Sequence, residues 1–116
     1  MSSFKIFHNP RCSKSRQALQ ILQENNCDYE IFLYLDMELN TDLIQDILKK
    51  LDLSPKELLR KGELDYKDND LRNIEHSDQG VINFMIKFPK LIERPIVVKG
   101  NRAVIGRPPE KVKELL

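Results

Sequence analysis

The chain has 116 residues, of which 41% are hydrophobic and 32% are charged, and these values suit one soluble domain with a single core. The formal net charge of +1 excludes a broadly basic surface for nucleic acid or an acidic membrane, so anion specificity would need a local cluster. Since no apolar run approaches a bilayer span and residues 1–4 lack the apolar core of a secretion signal, we expect a cytoplasmic protein. In that reducing compartment, the two cysteines Cys12 and Cys27 are not expected to form a disulfide framework.

The first third of the sequence has a β-α-β pattern. Residues 4–7 (FKIF) form a short, mostly apolar run that Asn9-Pro10 ends, which predicts a buried strand. A helical stripe from Ser13 to about Asn25 follows, with the apolar positions Ala18, Leu19, Ile21 and Leu22. The aromatic and β-branched run at 29–35 (YEIFLYL) predicts a second strand. The loop that carries Cys12 therefore joins the first strand to the first helix.

The middle of the chain is predicted to be helical. Asn40 or Thr41 can cap a helix with core positions Leu43, Ile44, Ile47, Leu48 and Leu51. The spacing from Ser54 to Glu57, with Pro55 between them, is that of a capping box. We expect the short helix that follows to carry Leu58, Leu59 and Arg60.

The second half of this helical block contains a charged segment followed by a more apolar one. Residues 65–75 are highly charged with few apolar anchors, and we expect a mobile surface segment there. Ser77 can cap a further helix through Phe88, which Pro89 closes. The predicted core positions of that helix are Val81, Ile82 and Met85, with Phe84 as a further candidate.

The end of the chain returns to strands. Two β-branched runs, at 95–98 and 103–105, flank Gly100-Asn101, which predicts a hairpin. The Pro-Pro-Glu sequence at 108–110 starts a final short helix through Leu116. The element order predicts an α/β, thioredoxin-like fold: a four-stranded mixed sheet in one domain over 1–116, with a helical insertion at about 36–89.

Cys12 is the first candidate for chemistry. A thiolate at the start of a helix is stabilised by the helix dipole and by unpaired backbone N–H groups. Arg11, Lys14 and Arg16 add positive charge nearby. The competing interpretation is a small buried residue, since free cysteine is commonly internal. The preceding Pro10 and the polar neighbours disfavour burial, so the pattern favours a reactive thiol.

The neighbours of Cys12 leave several roles open. Ser15 lies one helical turn later, where its hydroxyl can face the sulfur or help to start the helix. A serine cannot close a disulfide, so a thiol enzyme with this loop needs an external thiol. His8 can tune Cys12 or cap the strand end. An arginine six positions after the cysteine would indicate a phosphatase loop, but Ala18 stands there.

The remaining cysteine and the histidines predict no metal site. Cys12, Cys27, His8 and His76 have no paired ligand spacing. We expect Cys27, which follows the first helix, to be a structural or partly exposed thiol.

Three arginines stand out by their setting. Arg60 lies in LLRK, Arg94 in IERP and Arg107 in IGRPP, and the last two have their backbones restricted by the following proline. Most arginines are solvated surface charges, and the pattern alone does not bring these three together.

The sequence resembles the arsenate reductase family that works with glutathione and glutaredoxin. The matching motifs are HNPRCSKSR, LLRKGE, NFMIKFPKLIERPIVV and IGRPPE, which occur in the family's order and span essentially the whole chain. The resemblance is closest to the shorter branch, which ends soon after the GRPPE helix. It implies a cytoplasmic oxidoreductase of arsenic detoxification with no tightly bound cofactor and with glutathione as co-substrate.

The resemblance also implies roles for individual residues. The nucleophile is Cys12, assisted by His8 and Ser15. The arsenate-binding residues are Arg60, Arg94 and Arg107. The peptide bond between Arg94 and Pro95 is expected to be cis. No nucleic-acid or membrane partner is expected.

The implied reaction uses one protein thiol. The Cys12 thiolate attacks arsenate with loss of water, while the arginines stabilise the charge of the oxyanion. Glutathione condenses with the adduct, arsenic(V) becomes arsenic(III), and arsenite leaves. Glutaredoxin then reduces the mixed disulfide at Cys12.

Two alternatives stay open from the sequence. One is a glutaredoxin-like thiol reductase with another substrate. The other is a relative of the redox-sensing transcription regulators of this fold, which bind RNA polymerase. Sensing versions use Cys-x-x-Cys, so Ser15 disfavours the second alternative, as do the three arginines.

Overall fold

Within residues 3–116, which the computed structural model describes, four short strands form one mixed sheet. They are β1 (Phe4–Phe7), β2 (Tyr29–Phe32), β3 (Ile96–Lys99) and β4 (Arg102–Ile105). The order across the sheet is β2-β1-β3-β4, with β1 parallel to β2 and antiparallel to β3, and β3 antiparallel to β4. The predicted thioredoxin-like fold with a four-stranded mixed sheet is confirmed.

The chain divides into two compact units. The first comprises the described residues up to Met37 together with Arg94–Leu116, and the second is Glu38–Glu93. The sequence predicts a helical insertion at about 36–89, so the second unit begins and ends slightly later along the chain. That the whole chain acts as one domain stays a prediction.

The core of the first unit lies between one face of the sheet, helix α1 (Ser13–Glu24) and a 3₁₀ helix at Pro109–Leu115. Alternate residues of a strand point to the same face, so Phe4 and Ile6 of β1 share this core. Burying one large aliphatic side chain here contributes about 1.5–3 kcal/mol. The remaining buried members of the cluster are Ala18, Leu22, Val97, Val112 and Leu115.

The hairpin between β3 and β4 turns where the sequence predicts it. Gly100 has a φ of +60°, a left-handed conformation that glycine adopts without steric cost. The register pairs Lys99 with Arg102 next to the turn and Ile96 with Ile105 at the far end. The far end of the hairpin leads into the two Arg-Pro segments of the chain.

The second unit contains helices α2 (Thr41–Leu51), α3 (Leu64–Asp68) and α4 (Asp78–Lys87). Two predicted caps are confirmed: the Asn40 side chain accepts the Leu43 N–H at 2.8 Å, and the Ser77 hydroxyl accepts the Gly80 N–H at 3.0 Å. Helix α4 packs against α2 and against 3₁₀ turns at 55–58 and 89–91. The buried residues of α2 and α4 are Ile44, Ile47, Leu48, Val81, Ile82 and Met85.

The second strand is shorter than predicted. The sequence favours a strand over 29–35, but β2 ends at Phe32 and a 3₁₀ turn follows at Tyr34–Asp36. Because Phe32 pairs with Phe7, the last residue of β1, the neighbouring strand offers no further ladder partner. The Asp36 N–H instead donates to the Leu33 carbonyl at 2.9 Å.

The predicted helix over Leu58–Arg60 is also wrong beyond its first turn. The capping box is present, and Glu57 Oε1 accepts the Ser54 N–H at 3.0 Å, but the 3₁₀ turn ends at Leu58. Leu59 then forms an isolated antiparallel bridge with Ile92, and the Arg60 N–H donates to the Leu91 carbonyl at 2.7 Å. This pairing with a distant segment of the same unit holds Leu59 on extended backbone, and Arg60 follows directly.

The charged segment at 65–75 is better anchored than its composition predicts. Its first residues belong to α3, and Leu71 is only 1% exposed. The Lys56 ammonium donates to the Asn73 carbonyl at 3.3 Å. The His76 ring nitrogen Nε2 lies 2.9 Å from the Asp70 carbonyl. Within the described residues, no helix is long and apolar enough to cross a bilayer.

Candidate active site around Cys12

Strand register gathers three predicted site residues at one end of the sheet. Phe7, the last residue of β1, pairs with Ile96, the first residue of β3, because the two strands are antiparallel. The loop with Cys12 follows β1, Arg94 precedes β3, and Arg107 follows β4, whose last residue pairs with the first residue of β3. Cys12, Arg94 and Arg107 therefore leave the same end of the sheet.

The two Arg-Pro segments contact each other directly. The Arg107 guanidinium donates through Nη1 to the Arg94 carbonyl at 3.3 Å, and the Gly106 N–H donates to the Pro95 carbonyl at 2.8 Å. The peptide bond from Arg94 to Pro95 is cis, as the family resemblance implies, and so is the bond from Arg107 to Pro108. Both arginine residues are partly buried.

Cys12 is the N-cap residue of α1 and a half-exposed free thiol. Its N–H donates to the Asn9 carbonyl at 3.0 Å, and its own carbonyl accepts the Arg16 N–H at 3.0 Å. The first turn of α1 contains no acidic residue. The sulfur is therefore attached at the N-terminus of α1, which is the positive end of the helix dipole.

Ser15 is completely buried, and its hydroxyl is bonded within the Cys12 loop. Its Oγ accepts the Asn9 N–H at 3.0 Å and lies 2.6 Å from His8 Nδ1. The sequence leaves open whether this hydroxyl faces the sulfur or starts the helix. The bonds that the structure gives it connect α1 to the end of β1, and so fix the path of the loop between them.

The surroundings of His8 favour its neutral form over the protonated form. Burial, and secondarily the positive charge of Arg16, lower the pKa of His8 below its ordinary value of 6.5. When Nε2 carries the ring proton, Nδ1 accepts the Ser15 hydroxyl proton. Arg16 also donates to the Pro10 carbonyl at 2.8 Å. It therefore restrains the loop in addition to placing a positive charge near His8.

Asn9 is a site residue that the sequence pattern indicates only as a strand end. Its side-chain Oδ1 accepts the Arg11 N–H at 3.0 Å, while its carbonyl and N–H bond Cys12 and Ser15. Asparagine before proline is a turn-forming signal because its side chain bonds the backbone two residues later. That signal is present in the Asn9-Pro10 pair.

Arg60 lies in the second unit, between two carboxylates. Its Nη1 is 2.9 Å from Glu63 Oε1, and its Nε is 3.4 Å from Glu93 Oε1. All three side chains are 20–29% exposed. The motifs of the sequence identify neither glutamate as a partner. Glu63 was detectable from its spacing three residues after Arg60, whereas Glu93 meets Arg60 only through the tertiary bridge between Leu59 and Ile92.

Cys27 is remote from Cys12 within the first unit. The twelve residues of α1 separate them, which corresponds to about 18 Å of helix. A disulfide needs Cα atoms within about 7 Å, so the two cysteines cannot pair across this helix. Cys27 is half-buried, with Sγ 3.8 Å from the Asn25 carbonyl. Among residues 3–116, no group of three or more His, Cys, Asp and Glu residues could hold a metal ion.

Comparison with known proteins identifies the family. A sequence model of the ArsC family matches residues 7–115. This chain belongs to the ArsC family. It is 46% identical to the uncharacterised protein YfgD of Escherichia coli K12, over 97% of this chain and 95% of that protein.

Two further ArsC-family relatives carry an activity in their names. An arsenate reductase of Haemophilus influenzae is 39% identical over 96% of this chain and 97% of its own. A solved structure named arsenate reductase from Vibrio cholerae is 37% identical and superposes with a TM-score of 0.96, covering 99% of this chain and 98% of that one.

Proposed function

We propose that this ArsC-family chain is an oxidoreductase that reduces arsenate to arsenite with Cys12 as its nucleophile. The observation that carries the proposal is the half-exposed Cys12 thiol at the start of α1, at the sheet end shared with Arg94 and Arg107. The names of the relatives from H. influenzae and V. cholerae support the same substrate.

Arsenate is a tetrahedral oxyanion with one to two negative charges near neutral pH. The N-terminus of α1 supplies backbone N–H groups for such an anion, and the guanidinium groups of Arg94 and Arg107 supply charge-assisted hydrogen bonds. Arg60 is the third arsenate ligand of the proposal, assigned from the family resemblance. His8 and Ser15 hold the loop on which the thiolate is carried.

The first chemical step forms a sulfur–arsenic bond. The Cys12 thiolate attacks arsenic, one arsenic–oxygen bond breaks, and the departing oxygen leaves as water after protonation. The arginines stabilise the negative charge on the remaining oxygens. Arsenic stays in the +5 state in this adduct.

The second step reduces arsenic with a second thiol, which we propose is glutathione. Its sulfur bonds to Cys12 Sγ, the sulfur–arsenic bond breaks, and that electron pair stays on arsenic. Arsenite leaves with arsenic(III), and the two thiols together have lost two electrons to form a mixed disulfide. Glutaredoxin then reduces this disulfide. The separation of Cys12 from Cys27 along α1 supports an external second thiol. With glutathione as that thiol, the proposed location is the glutathione-containing cytoplasm.

A coupled assay tests the proposal. Protein with glutathione, glutaredoxin, glutathione reductase and NADPH should oxidise NADPH only after arsenate is added. Cys12→Ser should abolish this rate, and the matched Cys27→Ser variant should retain it. Replacing glutaredoxin by thioredoxin and its reductase tests the coupling partner.

Three outcomes would contradict parts of the proposal. Absence of arsenate-dependent oxidation with intact protein would remove arsenate as substrate. Turnover of a mixed disulfide without arsenate would favour a general thiol reductase. Specific capture of RNA polymerase without any turnover would favour the regulator.

A further inference from the structure

A cleft of about 260 Å³ opens beside the Cys12 loop, within the first unit. One wall is formed by residues 8–11, which follow β1, and the other by Leu33, Leu35 and Asp36, which follow β2. Because β1 and β2 are parallel and end together, both walls leave the same end of the sheet. This is the end from which Cys12 emerges.

Two opposite charges stand in the walls of the cleft. Arg11 and Asp36 are both exposed. Among the described residues, neither the Arg11 guanidinium nor the Asp36 carboxylate forms a side-chain hydrogen bond or an ion pair. Their backbones are nevertheless fixed, since the Arg11 N–H donates to Asn9 Oδ1 and the Asp36 N–H donates to the Leu33 carbonyl. The cleft thus presents one cationic and one anionic group on ordered backbone.

The cleft also has apolar lining residues. Leu33 is 41% exposed and Leu35 is partly exposed, although leucine is normally buried. A pure oxyanion does not match this surface, because it would face the Asp36 carboxylate and two leucines. A zwitterion on a short hydrocarbon chain matches all of the groups.

The cleft is connected to the reacting thiol through the loop itself. Asn9 lines the cleft, and its carbonyl accepts the Cys12 N–H at 3.0 Å. Pockets for drug-sized ligands measure about 300–1,000 Å³, so this cleft takes one end of a tripeptide-sized molecule. The rest of such a molecule would extend along residues 9–11 toward the Cys12 sulfur.

We infer that this cleft binds the γ-glutamyl end of the thiol that attacks the Cys12 adduct. The α-carboxylate bonds the Arg11 guanidinium, the α-ammonium bonds the Asp36 carboxylate, and the side-chain methylenes contact Leu33. The cysteinyl sulfur of a γ-glutamyl peptide then lies on the Cys12 side of the cleft. This inference rests on the proposed function and adds the binding site of its second substrate.

A binding experiment tests the cleft without any arsenate. Cys12→Ser protein is titrated with S-methylglutathione, which cannot react, and backbone amides are followed by NMR. We expect shifts at Asn9, Arg11 and residues 33–36, and about tenfold weaker binding after Arg11→Ala or Asp36→Asn. S-methyl-γ-glutamylcysteine, which keeps the γ-glutamyl end, should bind as well as S-methylglutathione.

The matched controls are Arg102→Ala and Glu30→Gln in the same Cys12→Ser background. Both residues are exposed, and neither lines the cleft; Arg102 lies beside the hairpin turn at the opposite end of the sheet. They should leave the affinity unchanged. Shifts confined to other residues, or equal affinity in all four variants, would overturn the inference.

Steady-state kinetics separate this inference from the proposed function. Arg11→Ala and Asp36→Asn should each raise the KM for glutathione about tenfold. Neither variant should raise the KM for 2-mercaptoethanol, because this thiol has no zwitterionic end. If wild-type protein reduces no arsenate with any thiol, the proposed function is refuted. The NMR titration then still shows whether the cleft binds S-methylglutathione. Arsenate turnover with a normal glutathione KM in both variants would refute only the cleft.

Discussion

Ser15 Oγ accepts the Asn9 N–H and lies within hydrogen-bond distance of His8 Nδ1. One hydroxyl of α1 is thus bonded to two residues that follow β1. Asn9 in turn bonds the backbones of Arg11 and Cys12. The Ser15 hydroxyl therefore fixes the path of the loop that carries Cys12. Under the proposed function, Ser15 positions the nucleophile.

Removing that hydroxyl should destabilise the chain. Ser15→Ala leaves the buried Asn9 N–H and His8 Nδ1 without this partner, and we expect a loss of about 1–3 kcal/mol in the free energy of unfolding. Urea denaturation measures the loss. Ser13→Ala, an exposed serine of the same helix, should change it by less than about 0.5 kcal/mol. Equal effects of the two substitutions would show that the Ser15 hydrogen bonds do not contribute to the free energy of unfolding.

The buried histidine should make stability depend on pH. Burial and the charge of Arg16 depress the pKa of His8 in the folded state below 6.5, so the unfolded state binds more protons just below that pH. The stabilisation is complete above 6.5 and is lost as the pH falls through the folded-state pKa. NMR titration of the His8 ring should give a pKa below 6.5.

Arg16 variants separate the two causes of that depression. Arg16→Ala should raise the pKa of His8 part of the way toward 6.5, because it removes the secondary, electrostatic cause and leaves burial. Arg16→Lys keeps the positive charge and should raise the pKa of His8 less. A His8 ring that titrates at or above 6.5 in wild-type protein would contradict the assignment.

At the scale of secondary-structure elements, Gly106 allows close packing between the segment after β4, the segment before β3 and α1. A Cβ on Gly106 would lie 2.9 Å from Pro95 Cγ and 3.4 Å from Ala18 Cβ. Pro95 directly precedes β3, and Ala18 is a fully buried residue of α1. Only glycine allows the chain after β4 to pass this closely before Arg107.

Adding a methyl group at this contact should be costly. Gly106→Ala forces the Pro95 ring or α1 to move, and we expect a loss of about 1–3 kcal/mol in the free energy of unfolding. The variant should also raise the KM for arsenate, since Arg107 follows directly. Gly62→Ala is the control, because no atom lies within 4 Å of the position that a Cβ would take there. An unchanged unfolding midpoint in Gly106→Ala would contradict the packing argument.

Local signals were sufficient for some elements and insufficient for others. The Asn40 and Ser77 caps, the hairpin at Gly100 and the opening β-α-β pattern are each specified by a few neighbouring residues, and all were predicted. Backbone pairing over long distances was not: β2 stops where β1 stops, and Leu59 is extended because it meets Ile92. Leu71 looks isolated among charges in the sequence, yet its side chain is buried.

At the scale of the whole molecule, residue types located the candidate thiol but did not predict which groups lie around the candidate site. Cys12 at the start of a helix was evident from the sequence. The proximity of Arg94 to Arg107 follows from strand register, which a single sequence does not display. The carboxylates beside Arg60 also depend on tertiary pairing.

The separation of the two cysteines predicts the oxidation behaviour of the entire chain. Treatment with a thiol oxidant should produce no internal Cys12–Cys27 disulfide, because α1 holds the residues about 18 Å apart. Intact-mass measurement would detect such a bond as the loss of two hydrogens. Peptide mapping after treatment with glutathione disulfide should locate glutathione on Cys12. A crosslinked Cys12–Cys27 peptide from native monomer would contradict the described helix.

The pairing of Arg60 with Glu63 and Glu93 changes what anion binding at this residue involves. The Arg60 guanidinium is paired with two carboxylates, so its positive charge is already partly compensated before any ligand binds. Under the proposed function, an oxyanion that binds Arg60 competes with Glu63 and Glu93 for the guanidinium. Any weakening of the pairs of Arg60 with Glu63 or Glu93 reduces the binding free energy of the oxyanion. A doubly charged anion offsets that loss better than a singly charged one.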